Sequence, residues 1–151
     1  MKENEKNLME TVRTLLRITR LLQRVCEKNG FSLQQYRTLT WIDHHEVTRP
    51  YTLAEQAAVS RPAVAALISG LEKKKLIKRE PVAKDGRGVH LKSTRRTKKA
   101  IRDLEWAMVE CLQDVFGEST DVIALLGKTE NLEQALDDRL QRDIEAGRAG
   151  N

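Results

Sequence analysis

The side chains with the clearest chemical potential lie between Ser60 and Lys73 of this 151-residue chain. Ser60 is a good helix N-cap, and Pro62 suits a first helical turn, where a missing N–H costs nothing. Val64, Leu67, Ile68 and Leu71 form a one-sided apolar stripe that must face a core. The opposite face then carries Pro62, Ala65, Ala66, Ser69 and Lys73, small residues apart from the lysine. A helix entering a DNA major groove about 12 Å wide needs such a slim outward face. Ser60 and Arg61 sit at its amino end, where recognition helices meet base edges. Arg61 can pair with guanine, and Ala65 or Ala66 can meet a thymine methyl. The alternative is a core helix with its small residues against a neighbour.

A second basic group follows at once. Asp85-Gly86-Arg87-Gly88 is a turn signal between short alternating segments at 76–82 and 89–92, which together predict a hairpin. Its tip holds Lys84 and Arg87, with Arg87 suited to a narrow, electronegative minor groove and Asp85 placed to support it. Arg95, Arg96, Lys98, Lys99 and Arg102 come next and are suited to phosphates. Residues 81–102 hold eight basic and one acidic side chain, whereas residues 103–151 hold four and twelve. The basic block suits a polyanion, and the acidic tail should lie away from it.

Six helical patterns position these groups. Residues 5–28 form a long amphipathic helix ended by Asn29-Gly30. Ser32 with Gln35 is a capping box for a helix to His44, and Thr52 with Glu55 is one for a short helix to Ala58. The helix from Ser60 follows, and the three lysines from Lys73 to Lys75 favour its carboxyl end. Thr94 is placed to cap a helix to Phe116. Ser119 opens the last pattern, which Gly127 interrupts. A short helix, a capped helix and a basic hairpin in that order predict a winged helix-turn-helix.

Other chemistries find few parts. There is no phosphate-cradling glycine loop, nucleophile elbow or metal motif, so neither an enzyme nor a cofactor is expected. His44, His45 and His90 give no metal-ligand spacing. Cys26 and Cys111, far apart in sequence, form no disulfide framework and point to a reducing cytoplasm. Cys111 reads as buried core. Cys26 sits near the carboxyl end of the first helix, which raises a thiol pKa. No apolar run approaches a membrane span, and the amino terminus reads as amphipathic, not as a secretory signal.

The segment VSRPAVAALISGLEKKKLIKRE followed by DGRGVHLKST resembles the MarR family of bacterial transcriptional regulators. The tokens are LEKK-x-LI-x-R, the D-x-R tip and L-x-S-T. Lys75 stands where the family usually has glycine, and Ser93-Thr94 where it usually has Leu-Thr. A lysine in a left-handed cap costs roughly 1 kcal/mol.

The resemblance implies a mainly α fold with a small β-hairpin: a dimerisation helix at 1–30, a winged helix-turn-helix at 31–94, and C-terminal dimerisation helices at 95–151. It implies a homodimer reading double-stranded DNA at a pseudo-palindromic operator. It also implies a small-molecule site, often for phenolic or aromatic-carboxylate compounds. Tyr36, Trp41, His44 and His45, with Arg17 and Arg20 as cations, are the candidate residues. The expected function is a repressor released from its operator by such an effector. A thiol-based regulator using Cys26 and a non-specific basic DNA-binding dimer stay open as alternatives.

Overall fold

A computed structural model describes residues 2–45, 48–57, 60–82, 88–117 and 130–149. They form, in order, α1 (Lys2–Lys28), α2 (Leu33–His44), α3 (Pro50–Ala57), α4 (Arg61–Lys73), β1 (Ile77–Pro81), β2 (Val89–Ser93), α5 (Thr97–Phe116) and α6 (Glu130–Ala149). The fold is mainly helical with one antiparallel hairpin, in which Ile77 pairs with Ser93 and Pro81 with Val89. Thr48 adds a single bridge to Leu91, whose N–H donates to the Thr48 carbonyl at 2.8 Å.

The local signals act largely as their chemistry dictates. Ser32 and Gln35 form the reciprocal capping box: the Gln35 N–H donates to Ser32 Oγ at 3.0 Å, and the Ser32 N–H to Gln35 Oε1 at 3.1 Å. Ser60 caps α4 through the Ala63 N–H, at 3.4 Å. Two starts differ from expectation. Helix α3 begins at Pro50, so Thr52 lies inside it rather than at its cap. Proline is preorganised for a first helical position, and here it opens the helix instead of only breaking the chain. Helix α5 begins at Thr97 with Arg96 in the capping position, and Arg96 makes no side-chain cap bond. The Thr94 hydroxyl accepts from the Arg96 N–H and donates to the Lys75 carbonyl. The Ser119 start and Gly127 lie outside the described residues.

One core cluster unites Leu39 and Ile42 of α2, Leu53 of α3, Val64, Ile68 and Leu71 of α4, Ile77 and Leu91 of the hairpin, and Ile101 of α5. A second joins Val25 and Cys26 of α1 to Leu104 and Met108 of α5. Leu67, expected in the core, is only partly buried, and Cys111 likewise packs at the edge of its cluster. At Gly70 of α4 the amide end of the Gln35 side chain fills the space where a Cβ would stand, 2.7 Å from Nε2.

Helices α1 and α4 end in the same motif. After α1, the Phe31 N–H donates to the Cys26 carbonyl and the Gly30 N–H to that of Glu27. After α4, the Leu76 N–H donates to the Leu71 carbonyl and the Lys75 N–H to that of Glu72. This pair of bonds is a Schellman cap, which needs a left-handed residue. Gly30 supplies it at φ 79°, and Lys75 at φ 59°. A side chain at that φ crowds its own backbone. Lys75→Gly is therefore expected to raise stability by about 1 kcal/mol, read as a higher denaturant midpoint. An unchanged or lower midpoint would mean that the lysine conformation carries no such cost.

Candidate nucleic-acid interface and effector cavity

The two sides of α4 are as different as its sequence requires. Val64, Ile68 and Leu71 are at most 3% exposed. Ser60, Arg61, Pro62, Ala65, Ala66 and Lys73 are exposed, and Ser69 is partly so. Helix α4 therefore rests on the core by one stripe and presents small side chains on the other. Its amino-terminal amides and Arg61 lie at the open end.

The hairpin is fixed to this helix at its root. Thr97, fully buried, donates its hydroxyl to the Leu76 carbonyl. The Thr94 N–H reaches Thr97 Oγ1 at 2.9 Å, and the Thr94 hydroxyl donates to the Lys75 carbonyl at 2.9 Å. Two threonines thus tie the end of α4, the start of β1 and the start of α5 together. This is the physical content of the L-x-S-T token.

On the hairpin's outer face, Glu80 lies between Lys78 at 2.6 Å and Lys92 at 2.8 Å. Hydrogen bonds from Lys78 and then Lys92 pull its carboxyl down to about 2. The carboxylate on the hairpin's β1 strand is thereby balanced by two lysines. Arg95 is exposed in the turn before α5, and Lys98 and Lys99 are exposed on its first turn. Lys84, Asp85 and Arg87 lie outside the described residues.

The expected effector residues divide. A cavity of about 530 Å³ opens between α2, α3 and α6. Trp41 and His45 line it, with ring centroids stacked 3.8 Å apart. His45 Nδ1 lies 2.7 Å from the Trp41 carbonyl, which can only accept, so this nitrogen carries the proton. Arg37, Gln34, Leu53, Gln56, Leu140 and the carboxylates Asp137 and Asp138 complete much of the wall.

The structure does not bring Tyr36, His44, Arg17 or Arg20 to this wall. Tyr36 turns toward α5 and donates to Glu105 Oε1 at 2.9 Å. Burial first, and then that carboxylate, push its phenol well above the ordinary range. Its position follows from helical geometry: five residues before Trp41 is about 140° around the helix. His44 bonds the Thr40 carbonyl through Nδ1, and Arg17 and Arg20 are exposed on α1. The cavity's cation is instead Arg37, one turn before Trp41 on the same stripe. The helical spacing of Gln34, Arg37, Trp41 and His45 is the sequence signal that finds it.

Cys26 is buried in the second core cluster, and burial raises its thiol pKa, which disfavours the reactive thiolate. Among the described residues, no group of three or more His, Cys, Asp or Glu is placed to hold a metal. No helix there is long and apolar enough to cross a membrane.

This geometry has counterparts among known proteins. Residues 29–88 match the model of the MarR family, a family of transcriptional regulators. Among curated protein sequences, none matches the chain. Solved structures share its fold. YusO from Bacillus subtilis superposes with a TM-score of 0.66 at 21% identity, over 89% of this chain and 98% of its own. The multiple antibiotic-resistance repressor of Listeria monocytogenes gives 0.63 at 17%, over 91% and 98%. CouR from Rhodococcus jostii RHA1, solved bound to p-coumaroyl-CoA, gives 0.61 at 14%, over 89% and 88%. Over about nine-tenths of its length the chain thus shares the winged-helix fold of these proteins.

If the threonine network sets the wing, Thr97→Val should destabilise the protein by about 1–3 kcal/mol, because the Leu76 carbonyl loses a buried donor. Chemical denaturation measures this. A cost within error of zero would show that the hydroxyl holds nothing.

Proposed function

We propose that the protein is a cytoplasmic, homodimeric, sequence-specific DNA-binding repressor, released from a pseudo-palindromic operator by a small aromatic carboxylate or phenolic ligand. The observation that carries this reading is α4 itself: a helix buried along one stripe, with Arg61, Pro62, Ala65 and Ala66 bare at its amino end. A basic hairpin stands beside it. In this reading Ser60, Arg61, Pro62, Ala65, Ala66, Ser69 and Lys73 face the major groove. Lys84 and Arg87 reach from the wing tip with Asp85 in support, and Arg95 meets phosphate.

Uncovered apolar surface supports the dimer. Leu8, Val12 and Leu15 of α1 are all more than half exposed, and Leu132, Leu136 and Leu140 of α6 are exposed at four-residue spacing. Apolar stripes of that length on opposite ends of a chain call for a partner. A two-fold pair would set the recognition helices about 34 Å apart, one turn of duplex. In this reading the domains are 1–30, 31–94 and 95–151, with the outer segments as the dimer body.

The effector reading rests on the Trp41–His45 stack with Arg37 beside it, an aryl wall and a cation. The phenolic thioester bound by CouR is a ligand of related chemistry.

The DNA reading is checked by enriching a duplex from a random-sequence library with the wild-type protein. Arg61→Ala should then alter base preference as well as affinity. Arg87→Ala should weaken binding and reduce the slope of log affinity against log salt by about 1. No enrichment, with equal affinity for all duplexes, would leave a non-specific binder, and a monomer by sedimentation at micromolar concentration would remove the paired reading heads. The effector reading is checked separately. Benzoates, salicylates and cinnamates should release the enriched duplex from wild type, whereas Trp41→Ala should still bind DNA but lose at least about tenfold in effector sensitivity. Equal release from both proteins would place the effector elsewhere.

A further inference from the structure

The seam between α4 and the hairpin carries an ion pair that the reading above does not use. Glu72, on the last turn of α4, accepts two bonds from Arg79 of β1: from Nε at 2.8 Å and from Nη2 at 3.2 Å. The pair is open to solvent, with half of the Arg79 side chain and a third of that of Glu72 exposed. Arg79 lies opposite Leu91 in the sheet, and Leu91 is in the core, so both project from the hairpin face that meets α4.

A guanidinium offers five N–H donors along two usable edges. Glu72 occupies the side edge, formed by Nε and Nη2. The end edge, formed by the two Nη atoms, has no protein partner among the described residues. Arg79 also lines a groove of about 430 Å³ along the flank of α4, with Arg61 at the helix's amino end and Tyr51 at the start of α3. Two guanidinium groups and a phenol therefore border one open channel beside the exposed small residues of α4. A nucleic-acid strand following that flank meets both arginines.

We propose that Arg79 is a backbone-phosphate contact, presented end-on by Glu72, and that Glu72 is a positioning residue. This rests on the DNA-reading function proposed above. A carboxylate beside a polyanion is otherwise repulsive, and its removal should tighten binding to any duplex. As an orienting partner it has the opposite effect on the specific complex, because a free arginine loses its fixed fork.

The test uses the duplex enriched by the wild-type protein and a random duplex of equal length. Failure of the wild type to enrich any sequence would remove the DNA-reading function itself, before any variant is made. With an enriched duplex in hand, Arg79→Ala should weaken its binding roughly tenfold, on the scale of one charge-assisted contact. Glu72→Gln should weaken the enriched duplex while leaving the random duplex unchanged or tighter. The double variant Glu72→Arg with Arg79→Glu restores the pair but turns a carboxylate toward the phosphate. It should melt at the wild-type temperature and fail to bind the enriched duplex. Three results would overturn the proposal: Glu72→Gln tightening both duplexes alike, the charge swap recovering DNA binding, or Arg79→Ala binding like wild type while folded.

Discussion

The angle between α4 and the hairpin is set over a few residues, from Leu71 to Ile77. Leu71 and Leu76 are both buried in the same cluster, and the backbone between them closes through two reversed hydrogen bonds. That turn requires one left-handed residue, and Lys75 occupies it against its own preference. Thr94 and Thr97 then clamp the two carbonyls that follow the turn, those of Lys75 and Leu76. Helix, wing and α5 therefore share a single joint. Loosening it would let α4 and the hairpin move independently, and two prongs that must fit one duplex together would lose their fixed relation.

Charge is arranged around this joint with equal economy. In the winged half, Glu72 is taken up by Arg79, and Glu80 by Lys78 and Lys92. Each of these two carboxylates faces a basic partner within hydrogen-bond reach. The acidic residues of α6 stand at the other end of the chain, with Asp137 and Asp138 on the cavity between α2, α3 and α6. Two carboxylates of α6 thus pack against α2 and α3, so the acidic end of the chain touches the winged half at this cavity.

Much of this was legible in sequence where the signal was local. The Ser32–Gln35 box, the Ser60 cap, the Asn29-Gly30 stop and the stripe of Val64, Ile68 and Leu71 depend on residues within a turn or two of each other, and all formed. The Thr52 box failed because Pro50 two residues earlier was a stronger start. Thr94 stands three residues before α5 begins, so its hydroxyl accepts from the Arg96 N–H in the preceding turn while donating to the Lys75 carbonyl. The effector wall was only half legible. Trp41 and His45 share a helical stripe, whereas Tyr36 matches them in chemistry but lies on another side of α2. Arg37, one turn from Trp41, is the cation on that stripe. Asp137, Asp138 and Leu140 come from the far end of the chain, and only packing joins them to α2.

The cavity's walls bear on how an effector could act within the proposed function. Two of its three sides, α2 and α3, belong to the winged half, and the third, α6, carries the exposed leucines assigned to the dimer body. A ligand between them contacts both parts of the molecule. Contact alone does not move an equilibrium; the ligand must bind one spacing of α6 and α3 better than another. A planar aromatic inserted against the Trp41–His45 stack has a fixed thickness, and the distance from that stack to Leu140 must accommodate it. Helix α3 packs on α4, so a shift of α3 against the body is carried to the reading helix through Leu53 and the core it shares with Val64 and Ile68. In a dimer the same shift occurs twice and changes the separation of two helices that must meet the same duplex. Small displacements at the cavity therefore matter most through that separation, which one turn of DNA holds to a narrow range.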